Sequence, residues 1–102
     1  MRHGAPTATI YGGAKSAIDS FTRGVAKELA PDIRVNAVAH GVIETPFHDK
    51  VSTPERLQTF KNDTPLKTNG QAIHIVMAIK MLIENDFITG ETIDVNGGLF
   101  MR

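Results

Sequence analysis

Cysteine is missing altogether from the 102 residues. That removes disulfide frameworks and thiolate chemistry from the list of things this chain can do, and it is compatible with a cytoplasmic setting. An excess of either charge is missing too, because eleven basic and eleven acidic side chains cancel. Neither sign is gathered into a run, which argues against a nucleic-acid or membrane-surface partner. Long hydrophobic runs are absent, so nothing in the chain is expected to span a bilayer. No signal peptide, internal repeat, low-complexity tract or charged tail is visible. The four histidines, His3, His40, His48 and His74, are scattered. No two share a helix face and only Asp49 supplies a nearby acid, so they read as loop and surface residues and no metal site is expected. A chain of this length makes one domain at most and buries about two thirds of its unfolded surface. Its stability is expected to be marginal unless something is added.

What the chain does have is a long amphipathic stretch from Tyr11 to Leu29, with apolar residues at Ala14, Ala17, Ile18, Phe21, Val25 and Leu29. That is helix spacing. Tyr11 and Lys15 lie one turn apart on such a helix, so a phenol and an ammonium share one face. A tyrosine hydroxyl, with a free pKa near ~10, is a poor acid or base at neutral pH, and a neighbouring cation favours its phenolate. Two unit charges about 4 Å apart interact by roughly 4 kcal/mol at an effective dielectric near 20, but by about 1 kcal/mol in bulk water. The pair therefore acts chemically only in a closed, partly dry site. The same spacing also suits an ordinary half-exposed helix face.

Around this helix the other segments fall into order. Met1 to Ile10 reads as a loop leading into the helix, and Pro31 ends it. Ile33 to Ala39 is expected to be a strand covered on both faces, as in a parallel sheet. His40 to Thr45 follows from the carboxyl end of that strand, where ligands sit in open α/β sheets. Gly41 there either lets backbone approach a planar ring or simply turns the chain, and Thr45 either offers a hydroxyl or caps the next segment. From Pro46 to Asn69 the chain is polar and reads as one or two short helices, forming either a lid or a surface connector. Thr53, Pro54 and Glu55 fit a helix cap followed by proline in the first turn. Gln71 to Ile83 is a second strong helix with Ala72, Ile75, Val76, Ile79, Leu82 and Ile83 on one broad apolar face, closed by Asn85 and Asp86. Thr92 to Val95 is a short strand ended by Gly97 and Gly98. Strand, helix and strand make a crossover unit, which places Ile33–Ala39 and Thr92–Val95 parallel and adjacent.

Four ordered stretches carry a resemblance: Tyr11 to Lys15, Ile33-Arg34-Val35-Asn36-Ala37-Val38-Ala39, Gly41-Val42-Ile43-Glu44-Thr45-Pro46, and Thr89-Gly90-Glu91-Thr92-Ile93-Asp94-Val95-Asn96-Gly97-Gly98. Together they resemble the C-terminal half of the short-chain dehydrogenase/reductase family, and the resemblance covers nearly the whole chain. It implies an α/β fold that is the C-terminal part of a Rossmann-type, doubly wound parallel sheet, in the order helix, strand, flap, helix, strand. It also implies that residues 1–102 form a single partial domain. In this family the tyrosine exchanges a proton with the carbonyl or hydroxyl of the substrate, a role that the resemblance gives to Tyr11. The lysine lowers the tyrosine pKa and holds the nicotinamide ribose, which falls to Lys15. Gly41, the backbone at Val42 and Ile43, and the hydroxyl of Thr45 match the positions that dock the nicotinamide. The cofactor implied is NAD or NADP. His40 stands where the family usually has proline, which alters the stiffness of the loop without removing chemistry.

The family's glycine-rich phosphate loop, the residue that separates NAD from NADP and the Asn-Ala-Gly type motif have no counterpart here. Its catalytic serine belongs further upstream of the tyrosine than Thr7 or Thr9. The strand at Ile33–Ala39 is then expected to have an unpaired apolar edge. The isolated chain is expected not to be a stable monomer: it associates with copies of itself as a homo-oligomer, or with a missing N-terminal half. Two functions follow from the resemblance. One is the C-terminal portion of an oxidoreductase interconverting a small-molecule secondary alcohol and a ketone, inactive as the isolated chain. The other is a non-catalytic remnant or oligomerising module of the same fold.

Overall fold

The computed structural model of the chain describes residues 6–44 and 53–99, with side chains from residue 13 onward. The chain divides into two compact units, one made of residues 1–37 with 85–92 and the other of residues 38–84 with 93–102.

In the first unit a single helix dominates, α1 at Pro6–Leu29. It starts earlier than the sequence reading placed it, since residues 6–10 are helical and not a loop. Proline suits the first helical position, where its missing N–H would have no partner in any case, and its fixed φ already matches the helix. Lys27 lies in the last turn, where a cation faces the partial negative charge of the helix end. The helix closes through Ala30 N–H donating to Ala26 O at 3.0 Å and Ile33 N–H to Leu29 O at 2.9 Å.

The face that α1 covers is a polar one. Among its described side chains the buried ones are Asp19, Thr22 and Ala26, spaced by three and four. The apolar row is turned outward, with Phe21 71% exposed and Ile18 54% exposed. Ala26 meets Gly90, where an added Cβ would lie 3.5 Å from the Ala26 Cβ, and the positive φ of Gly90 lets the chain turn there.

The segment 85–92 is held to residues 34–37 by a set of clasps. Arg34 Nη1 donates to Asn85 O at 3.0 Å and to Ile88 O at 3.1 Å. Asn36 uses both ends of its amide, Nδ2 donating to Ile88 O and Oδ1 accepting from Glu91 N–H, each at 3.0 Å. Gly90 N–H donates to Val35 O at 2.8 Å. These contacts explain a second correction: the strand is β1 at Ala37–His40, and residues 33–36 lie outside it. Arg34 and Asn36 bind loop carbonyls with their side chains instead of extending a ladder. Ala37, Val38 and Ala39 are half-buried rather than covered on both faces.

β1 pairs with β4 at Thr92–Val95, the strand that the sequence delimits correctly. Ala37 N–H donates to Glu91 O and Gly41 N–H to Val95 O. Donor and acceptor advance in the same direction, so the pair is parallel.

The second unit holds β2 at Ile43–Glu44, α2 at Pro54–Asp63, β3 at Gly70–Gln71 and α3 at Ala72–Glu84. β2 and β3 are parallel, with Ile43 opposite Gly70 and Glu44 opposite Gln71. α2 begins as expected: Thr53 caps it, accepting from Arg56 N–H at 3.2 Å, and Pro54 follows. Thr64 closes it, its N–H and its hydroxyl both donating to Phe60 O. α3 is capped from within, because Gln71 N–H donates to His74 Nδ1 at 2.8 Å. A third-position side chain reaching back to the cap N–H is the capping-box arrangement, with imidazole in place of a carboxylate. Of the apolar residues on α3 only Leu82 is buried. Among the described residues no large side chain is fully buried.

Candidate active site

Tyr11 and Lys15 both lie on α1, which runs unbroken through them. Their backbone positions are one turn apart on one face. The side chain of Tyr11 lies outside the described residues. Lys15 is half-buried. Continuing from it by steps of four, three and four gives Asp19, Thr22 and Ala26, the buried line of the helix, and position 11 extends that line backward by helix spacing. Lys15 thus lies in helix register with the buried line of α1. Sequence reasoning passed over Asp19 and Thr22. Their one signal is that two polar residues fall in register with Tyr11 and Lys15.

The expected cofactor loop belongs to the second unit. Gly41 follows β1 and touches the end of β4: a Cβ at this position would come within 2.9 Å of Asn96 Cβ and 3.0 Å of Asn96 Cα. Only a residue without a side chain fits that approach. His40 is exposed, and its Nδ1 donates to Gly41 O at 2.8 Å. The ring thereby restrains the loop where the family resemblance expects proline. Val42 O accepts from Gly70 N–H at 2.9 Å, and Ile43 is buried at 6% exposure. Thr45 lies outside the described residues. The structure therefore groups Tyr11 with Lys15 on one helix and Gly41, Val42 and Ile43 on one loop, and the two groups fall in different units.

Sequence reasoning also missed Asn69. This residue is only 3% exposed, and its Nδ2 donates to Glu44 Oε1 at 3.2 Å and to Leu57 O at 3.0 Å. It joins β2, the middle of α2 and the start of β3. Its oxygen, Oδ1, is buried without a hydrogen-bond partner. The Asn69-Gly70 dipeptide marks a turn in the sequence, but nothing in the pattern signals a clamp. Beside it lies a cavity of about 290 Å³. Val42, Ile43, Leu66, Met77 and Val95 give it an apolar wall, and Thr64, Thr68, Asn69, His74 and Asn96 a polar one.

A family model described as Enoyl-(Acyl carrier protein) reductase matches residues 1–100. The chain is 42% identical over 101 residues to General stress protein 39 of Bacillus subtilis, a match covering 96% of this chain and 35% of that protein. Among solved structures it resembles a short-chain dehydrogenase/reductase, glucose/ribitol dehydrogenase, of Brucella melitensis. That match has a TM-score of 0.79 and 42% identity, and it covers 97% of this chain and 41% of the other. It also resembles a 3-oxoacyl-[acyl-carrier protein] reductase with bound NAD from the same organism, with a TM-score of 0.74 and 41% identity over 90% of this chain and 34% of that one. The chain belongs to the short-chain dehydrogenase/reductase family. Its fold is α/β, a part of the Rossmann-type parallel sheet of that family. It spans about a third to two fifths of the length of these relatives.

Proposed function

We propose that this chain is the C-terminal portion of an NAD- or NADP-dependent oxidoreductase that interconverts a secondary alcohol and a ketone. The observation that carries the reading is that positions 11 and 15 lie one turn apart on an unbroken helix, in a chain of this family. Tyr11 passes a proton to or from the oxygen of the substrate. Lys15 favours the phenolate and holds the ribose hydroxyls of the cofactor. The nicotinamide, when bound, supplies or accepts the hydride. Its carboxamide is held by the backbone at Val42 and Ile43 and by Thr45, and the side-chain-free surface of Gly41 gives that loop its close course beside Asn96. The relative solved with bound NAD supports a nicotinamide as the cofactor. The phosphate-binding half of such a site has no counterpart in residues 1–102, so the full reaction needs a complementary N-terminal half. The chain is read as a single partial domain.

Nicotinamide-linked oxidation of a secondary alcohol, followed by absorbance of the reduced cofactor, tests this reading. Tyr11→Phe in the protein that carries both halves is expected to lower kcat by about 10²- to 10⁴-fold with the cofactor still bound. Unchanged turnover in that variant overturns the assignment. A second reading, a non-catalytic oligomerising module, is favoured by the apolar side chains turned outward on α1 and α3, Phe21, Ile18 and Ile83 among them. Sedimentation combined with cofactor titration separates the two: self-association with no nicotinamide binding supports the module.

A further inference from the structure

Two Asn-Gly dipeptides occur in the chain, Asn69-Gly70 and Asn96-Gly97. In such a pair the second residue has no side chain to shield its peptide nitrogen, which can reach the asparagine Cγ and close a five-membered ring. The fold treats the two in opposite ways. At the first, Gly70 N–H donates to Val42 O at 2.9 Å, so its nitrogen is committed to the β2–β3 pairing. Asn69 is 3% exposed, and its Nδ2 donates to Glu44 Oε1 and Leu57 O, which fixes the amide. Ring closure there requires these three hydrogen bonds to open and water to enter.

At the second, Asn96 and Gly97 are both half-buried and follow the last residue of β4. The chain turns through Gly97 at a φ of 61° and Gly98 at a φ of 87°, and Leu99 N–H donates to Asn96 O at 3.0 Å. Positive φ at both central positions makes this a type I′ turn. Gly98 N–H also donates to Asn96 Oδ1 at 2.9 Å. That bond curls the side chain back along the Gly97 peptide. It also gives the side-chain carbonyl a donor, which stabilises the negative charge that develops on its oxygen when Cγ is attacked. Among the described residues no hydrogen bond engages the Gly97 N–H.

We propose that Asn96 is a site of spontaneous deamidation and isomerisation, from which the fold protects Asn69. The Gly97 nitrogen loses its proton and bonds to Asn96 Cγ, the Cγ–Nδ2 bond breaks, and Nδ2 leaves as ammonia with a proton in exchange. Water then opens the cyclic imide at either carbonyl. Opening at Cγ gives aspartate, whereas opening at the backbone carbonyl gives isoaspartate, whose peptide bond runs through Cγ. Water is the one co-reactant, and nothing is oxidised or reduced. Isoaspartate lengthens the backbone by one methylene where space is shortest, because a Cβ at Gly41 would lie 2.9 Å from Asn96 Cβ and 3.0 Å from Asn96 Cα. The product therefore loosens the loop of Gly41, Val42 and Ile43. This goes beyond the oxidoreductase reading and does not rest on it, since the reaction needs neither Tyr11 nor a nicotinamide.

The test is to age the full chain in warm, mildly alkaline buffer and digest samples with trypsin, which places the two dipeptides on separate peptides, residues 68–80 and 81–102. Mass spectrometry reads the change from amide to acid at each site, and electron-transfer fragmentation separates isoaspartate from aspartate. Asn96 is expected to convert at least about tenfold faster than Asn69, whose three guarding bonds must open first. In guanidinium, where that guard is gone, the two rates are expected to converge. Hydrogen exchange at the Gly41 and Gly70 N–H groups, which donate to Val95 O and Val42 O, is expected to quicken in the modified population. Asn96→Ser keeps a side-chain acceptor for the Gly98 N–H but has no amide to lose, and its exchange is expected not to change with age. Equal rates in the native chain, faster conversion at Asn69, or an Asn96 that does not convert overturns the proposal. Unaltered exchange in the aged chain, or the same change in Asn96→Ser, overturns the effect on the loop.

Discussion

The two units of the chain are held together by different means. In the first, long side chains reach across the sequence to bind backbone: Arg34 to two carbonyls, and Asn36 to a carbonyl and an N–H. In the second, the chain is fixed by helix caps at Thr53 and Gln71 and by glycines at close backbone approach. Clasps fail when one polar group is removed, because each such side chain makes two hydrogen bonds that are lost together. Close approaches fail when one methyl group is added. One unit is therefore broken by deletion and the other by addition.

Four variants sharpen this contrast, each read as a shift in the denaturant midpoint of the chain. Asn36→Ala removes two hydrogen bonds at once and is expected to cost about 1–3 kcal/mol, at the head of the set. A loss below that of a single cap would show that water replaces the clasp. Gly41→Ala is next, at about 1–3 kcal/mol, because its new methyl group meets the Cα and Cβ of Asn96 and not a yielding side-chain tip. Thr53→Ala removes the cap of α2 and is expected to cost about 1 kcal/mol, with Thr53→Ser close to neutral. The smallest effect is expected at Phe21→Gln, within about 0.5 kcal/mol, since that side chain is 71% exposed. A cost several times larger, growing with protein concentration, would show that another chain covers this face.

The sequence reading succeeded where local chemistry decides structure. Thr53-Pro54-Glu55 announced the start of α2, β4 falls at the residues its pattern indicated, and α3 agrees to within a residue at each end. Local chemistry also explains the error at Pro6: proline was read as loop, although the first position of a helix is where it is most at home. The strand at Ile33 was read too long because Ile33, Val35 and Ala37 look continuous, while Arg34 and Asn36, the residues that decide the matter, act on partners more than fifty positions away. The covered face of α1 is a separate matter. Periodicity tells which side of a helix is apolar but not which side is covered, and here the covered line runs through Asp19 and Thr22.

For the candidate site, legibility was split in the same manner. Tyr11 and Lys15 could be placed one turn apart on one helix from spacing alone, whereas Gly41 was left between an approach to a planar ring and a simple turn, and its approach to Asn96 was not foreseen. The Asn69 clamp was out of reach because it depends on Glu44, brought close when β2 and β3 pair; the imidazole cap is local, but histidine stands where the capping pattern has Glu or Gln.

The contact between Gly41 and Asn96 has a consequence for how such a protein can change. The loop after the first strand and the last residues of the final strand occupy a single shared space, so neither position drifts freely. A larger residue at one is tolerated only with retreat at the other, and the loop's freedom to be retuned is set by a strand end more than fifty residues downstream.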